Sequence, residues 1–189
     1  PHTPGAVHVH LGKHTRALAV ARAEIAEPYP DRPAEGTLHF NVELSPMAAP
    51  HYESGRPSEA AIELTRLLER ALRKSTAVDV EALCVVAGKA VWSVRCDVTI
   101  LDHRGNVGDA CTLAALAALR HLRIPRVEVT GSGDEARARP LPSEHAEPEP
   151  LVLHHTPIGV TFGLFQSPTG ETLSAVDPTE REELVMSGC

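Results

Sequence analysis

Hairpin-like pairs of β segments, separated by two helical segments and lacking a regular β–α alternation, predict an α+β domain with mixed or antiparallel sheets. The 189 residues, 42% of them hydrophobic, are enough to build one ordinary core. A doubly wound nucleotide fold is excluded, because the chain has neither a Gly-x-Gly-x-x-Gly nor a Gly-x-x-x-x-Gly-Lys sequence.

The segment Ala6 to Leu11 alternates with period two, Gly12-Lys13 turns the chain, and Ala17 to Ile25 alternates again, so the start reads as a β-hairpin. Pro28, Pro30 and Pro33 break the chain into a loop ending at Gly36. Thr37 to Leu44 is a third strand, closed by Pro46 and Pro50. Pro57 suits a first helical position, with Glu59 in the first turn. Ile62, Leu64, Leu67, Leu68, Ala71 and Leu72 then make an apolar face over about five turns. Val80 to Ala87 and Val91 to Leu101 form a second hairpin around Gly88-Lys89. Asn106 to Leu122, rich in Ala and Leu, is a tightly packed second helix, and Arg126 to Thr130 a strand.

From Gly131 to Pro150 the composition changes to four prolines and five acids, which reads as an exposed, mobile loop (131–150) within a single domain spanning 1–189. Ile158 to Phe165 and Glu171 to Val176 give a third hairpin over Ser167-Pro168-Thr169-Gly170. The chain opens at Pro1 without an initiator Met and stops at Cys189, which predicts a piece of a longer protein.

Composition narrows the function. The net charge of −7 means that any nucleic acid must be met by a local basic patch or by charge from partners. Aromatics at 3% argue against a base-stacking platform. No apolar run approaches the roughly 18 residues of a membrane span, so no membrane partner is expected. Cys84, Cys96, Cys111 and Cys189 contain no Cys-x-x-Cys pair and read as buried free thiols.

Histidines raise the question of a metal. His8 and His10 share one strand face with His2 and His14 nearby, whereas the adjacent His154 and His155 fall on opposite faces of any strand. None of these reaches the spacing of three or four converging zinc ligands, so neither metal nor cofactor is expected. No Gly-x-Ser-x-Gly elbow is present, and Gly131-Ser132-Gly133 is too short for a phosphate loop.

The most informative stretch is Cys96 to Ala110: a strand, a glycine turn and the first turn of an apolar helix. That layout aims backbone N–H groups and a positive helix end at one point, as phosphate sites do. Its first turn holds an acid, Asp109, and no arginine or lysine. With Asn106 as N-cap, Asp109 is placed to close a weak capping box on the cap N–H. On the first helix, Arg66, Arg70 and Arg73 are spaced i, i+4, i+7, extended by Lys74 and preceded by Arg56. Two readings stand: a solvated helix face with i+4 partners, or a stripe for the phosphate backbone of RNA.

Several longer motifs point to one family. They are Glu35-Gly36 leading into Phe40-Asn41-Val42-Glu43-Leu44-Ser45-Pro46-Met47-Ala48-Ala49-Pro50, then Gly55-Arg56, Leu83 to Gly88 with Val91-Trp92, His154-His155-Thr156-Pro157-Ile158, and Asp177 to Glu183. Through them nearly the whole chain resembles the RNase PH family of phosphorolytic 3′–5′ exoribonucleases and their exosome relatives. The resemblance implies an RNase PH-like fold of paired βαβ-like halves with two central helices, here without the family's N-terminal helix and the region after Cys189. It implies assembly with other RNase PH-like subunits into a six-membered ring built of heterodimers. RNA threads that ring, beneath cap subunits with RNA-binding domains and beside an associated exonuclease, in nucleus, nucleolus and cytoplasm.

It also implies where catalysis has gone. The family's Gly-Arg-Thr arginine falls on Arg56. Its Gly-Gly-Thr-Arg-Thr-Ala motif falls on Gly105-Asn106-Val107-Gly108-Asp109-Ala110, so the second phosphate arginine is Gly108 and the following threonine is Asp109. The family's carboxylates fall on Asp177 and Glu183. A non-catalytic subunit with a degenerate phosphate site is therefore expected, with Asp177 a remnant acid and Arg56, Arg66, Arg70 and Arg73 as RNA contacts.

Overall fold

A computed structural model describes all residues except 1–3, 13–14, 54, 56, 132–136, 143–145, 168–169 and 189. Its centre is a five-stranded mixed sheet. Strand β1 (Ala6–Leu11) pairs antiparallel with β2 (Thr15–Ala26), and β2 pairs antiparallel with β5 (Ala90–Asp102). Strand β3 (Thr37–Leu44) lies parallel to β5, and the short β4 (Cys84–Val86) folds back on its start. The expectation of a mixed α+β fold therefore holds.

Alternation makes this sheet two-faced. In β5, Val94, Cys96, Val98 and Ile100 are fully buried, while the intervening Arg95 is exposed. In β2 the inward residues are Ala17, Ala19 and Ala21, and they meet helix α2 (Val107–His121). Helix α2 turns Ala110, Cys111, Ala114, Ala115 and Ala118 into the same core. Small residues on both sides let helix and sheet approach closely, where one larger side chain would force overpacking. Burial at these positions pushes the Cys96 and Cys111 thiols up to about 12, so both stay protonated.

Helix α1 (Glu59–Leu68) begins two residues later than expected: Ser58 is the N-cap, its hydroxyl accepting from the Ala61 N–H at 3.2 Å, which leaves Pro57 outside the helix. The last turn, Glu69–Lys74, widens to a π-helix whose buried Leu72 joins Leu68 in the core. Burying each of these leucines stabilises the fold by about 1.5–3 kcal/mol.

Three expected segments differ. The strand expected from Val80 shrinks to Cys84–Val86, because the Asp79 carboxylate accepts from the N–H groups of Glu81 and Ala82 and curls 79–83 into a turn. The loop expected over 131–150 contains β8 (Arg137–Pro140), paired with β7 (Val127–Thr130), and β9 (Glu149–Pro150), paired with β6 (Arg123–Ile124). These strands are short and mostly exposed, so no hydrophobic pattern announces them. The third hairpin consists of β10 (Phe162–Gln166) and β11 (Thr172–Val176), and the stretch expected as its start, 158–161, crosses the N-terminus of α2 instead.

Candidate functional site

The site is the start of α2, and a turn of fixed geometry sets it there. The Thr15 hydroxyl, 4% exposed, donates to the Gly105 carbonyl at 2.7 Å and accepts from the Arg104 N–H at 3.3 Å. Gly105 has φ +107°, and a Cβ there would lie 2.5 Å from the Pro178 carbonyl oxygen and the Glu180 nitrogen. Only glycine fits that approach. The segment it touches leads into the short helix α3 (Glu180–Glu183), whose Thr179 and Glu182 form a capping box.

Asn106, 4% exposed and in the left-handed region, is the N-cap of α2 as expected. Its Oδ1 accepts from the Asp109 N–H at 3.4 Å. Its Nδ2 donates to Asp109 Oδ2 at 2.9 Å and to Asp177 Oδ1 at 2.7 Å. Its backbone N–H donates to Glu183 Oε1 at 2.7 Å. The capping box expected from Asp109 does not form, because Glu183 occupies the cap N–H. The Asp109 carboxylate instead accepts from the Thr161 N–H at 2.9 Å and the Thr161 hydroxyl at 2.8 Å. Gly159 lets that segment lie close, since a Cβ there would sit 3.2 Å from Asp109 Oδ1.

A second group buttresses Glu183. Its Oε2 is 3.6 Å from His103 Nε2, and His103 Nδ1 is 2.7 Å from the Tyr52 hydroxyl. Burial, followed by the Glu183 and Glu180 carboxylates and Cys111, pushes the Tyr52 phenol up, so it remains a donor. The imidazole of His103 thus bridges the Tyr52 hydroxyl and the Glu183 carboxylate. Partial burial pushes Glu183 up, but the His103 ring and the Asn106 N–H outweigh it and hold the carboxyl below the usual range.

Gly108, Asp109 and Asp177 thus converge on one helix start, and Asp177 and Glu183 both reach Asn106. Gly108 faces α1: a Cβ there would be 3.4 Å from Leu67 Cδ2. Arg56 lies outside the described residues. Arg66, Arg70 and Arg73 are all exposed on α1 and its π-helical extension. Arg73 pairs with Glu69 at 3.4 Å, and with Lys74 it lines a cleft of about 900 Å³ shared with Tyr29, Arg32, Asp79 and His154. Arg66 and Arg70 stay out of that cleft and have no ion pair among the described residues.

Thr161, Tyr52 and His103 were not legible as site residues. Gly159 ahead of Thr161 was the one available signal, a small residue where a strand must approach a carboxylate. Among the described residues no group of three or more potential metal ligands converges.

Arranged this way, the helix start is occupied by the protein's own acceptors. Two of the N–H groups that would face an anion are taken, and the space before them holds three carboxylates.

Residues 1–125 match the 3′ exoribonuclease (RNase PH) family, domain 1. The chain is 49% identical over 185 residues to exosome complex component RRP45B of Arabidopsis thaliana, covering 97% of this chain and 41% of the relative. It is 48% identical over 184 residues to exosome complex component RRP45 of Homo sapiens, covering 97% and 40%. Among solved structures, the Archaeoglobus fulgidus exosome with RNA bound to the active site superposes with a TM-score of 0.77 at 33% identity, over 97% of this chain and 65% of that one. The chain thus spans roughly two fifths of the length of these two curated relatives. With a family match over 1–125 and an RNase PH-like mixed fold that extends through α2, this chain belongs to the RNase PH family of 3′ exoribonucleases.

Proposed function

We propose that this protein is a non-catalytic RNase PH-like subunit of an RNA exosome core, holding a six-membered ring together and lining the channel through which RNA passes. The observation that carries the reading is the Asp109 carboxylate at the α2 start, locked by Thr161 where the family places a phosphate-binding arginine and threonine. Phosphorolysis requires a dianionic phosphate at that helix end, gripped by cations. At about 4 Å, a carboxylate repels each phosphate charge by about 4 kcal/mol in a partly screened protein environment. Gly108 offers no cation in return.

Names of the relatives support the assembly, since several are exosome complex components. The net charge of −7 suits a subunit that meets RNA through a few residues rather than a basic domain surface. Exposed Arg66 and Arg70, unpaired within the described residues, are the contacts assigned to the RNA backbone, together with Arg56 from the family motif. Arg73, held by Glu69, is the weakest member of that set. Partners in this reading are the other RNase PH-like subunits, cap subunits with RNA-binding domains, the threaded RNA and an associated exonuclease. The places of work are nucleus, nucleolus and cytoplasm, which subcellular fractionation checks.

Asp177 and Glu183 still reach the site, which favours a second reading as an active phosphate-dependent exoribonuclease. One assay separates the two. The full-length protein is assembled in its ring and given 3′-tailed RNA with inorganic phosphate. No nucleoside diphosphate release attributable to this subunit is expected. Release that disappears in the Asp177→Ala variant overturns the proposal.

A further inference from the structure

The outer face of the central sheet carries a feature that lies apart from the α2 start. His8 and His10 are both exposed, on the same side of β1, while Val9 between them turns into the core. Their ring centroids are 4.3 Å apart, with the planes tilted by 56°. Neither side chain has another hydrogen-bond or ion-pair partner among the described residues.

We propose that His8 and His10 form a two-ligand binding site for a borderline divalent transition cation of the Zn²⁺, Ni²⁺ and Cu²⁺ class. Neutral imidazole is the side-chain ligand these ions prefer over the oxygen donors that suit Mg²⁺ and Ca²⁺. The strand supplies preorganisation. Backbone pairing of His8 with Leu18 and of His10 with Arg16 fixes both Cα positions, so ordering the pair costs only side-chain rotation. The adjacent His154 and His155 are no equivalent, because His154 already faces Asp79, 3.7 Å from its Nε2. With two protein ligands the remaining positions fall to water, so the site binds reversibly and does not staple the fold as three- or four-ligand zinc sites do. Arg16, directly across from His10, sets a limit on affinity by opposing a cation.

The test is titration of the untagged full-length protein with ZnCl₂ and, as control, MgCl₂, read by calorimetry and by the histidine ring resonances. The expected result is one Zn²⁺ per chain with the His8 and His10 rings shifting together, and no response to Mg²⁺. His8→Ala and His10→Ala should each weaken binding at least about tenfold, while His154→Ala leaves it unchanged and Arg16→Ala tightens it. Both histidines are exposed, so these variants keep the core intact, which circular dichroism verifies. Zinc binding that survives the double His8→Ala/His10→Ala variant, or the absence of any shift in both rings, overturns the proposal.

Discussion

The starts of the two long helices are built on the same principle and end in opposite states. At α1 the Ser58 hydroxyl satisfies one N–H, and the residues from Pro57 to Ala60 are exposed. At α2 the cap is buried, and Asp109, Asp177, Glu183 and Thr161 close around it in a network of hydrogen bonds. A helix N-terminus attracts anions only while its donors are free. Here the more deeply set terminus, where a phosphate would be best shielded from water, is the one filled from within. The groups that occupy this terminus tie the 158–161 segment and α3 to the core.

Removing the α2 arrangement should therefore cost stability, and removing the α1 cap should cost little. Gly105→Ala drives a Cβ into the backbone of Pro178 and Glu180 at a positive φ. The expected loss is about 2–4 kcal/mol, read by urea unfolding. Asn106→Ala deprives the helix of its cap and leaves Asp109 and Asp177 without a shared donor. A loss of about 2 kcal/mol is expected by the same measurement. For Asp109→Ala, where the hydrogen bonds to Thr161 disappear, the loss is about 1–2 kcal/mol. Hydrogen exchange at the Thr161 amide should quicken in that variant while the β5 amides stay protected; equal protection at both sites would break the account of Asp109 as a clasp.

Glu183 sharpens the contrast through pH. Its carboxyl is held below the usual carboxylate range in the folded protein, so its contribution is present above its unfolded pKa and is lost as pH falls through the folded value. Glu183→Gln should be less stable than the parent at neutral pH, and the gap should close as pH falls below the ordinary carboxylate range. A gap independent of pH would mean that His103 and the Asn106 N–H do not act on an ionised carboxylate. Smallest of all, Ser58→Ala should cost about 0.5–1 kcal/mol, with no change at the Thr161 amide.

Much of the central sheet was legible because its strands bury one face and alternate accordingly, as β2 and β3 do. Asn106 as a cap and the convergence of Gly108, Asp109 and Asp177 were also legible, the last through family motifs. The strands inside 131–150 were not, because Arg137–Pro140 pairs by backbone without an apolar face. The π-helical turn that carries Arg70 and Arg73 was not legible either. Spacing assumes regular α-helix, and the π-helical turn at Glu69–Lys74 depends on how Leu68 and Leu72 seat in the core.

By itself the sequence determined the chemistry available at the α2 start: Gly108 and the acid Asp109, with no arginine or lysine in that turn. Those are covalent facts, independent of folding. Only tertiary structure decided what the acid does. Asp109 had two local choices, the cap N–H three residues back or open solvent, and it takes neither. Thr161, 52 positions away in the chain, offers two donors at 2.8–2.9 Å, while Glu183 takes the cap N–H at 2.7 Å. Long-range geometry set the outcome, because in a half-buried site each carboxylate settles where donors are most numerous, and only the folded chain brings those donors within reach.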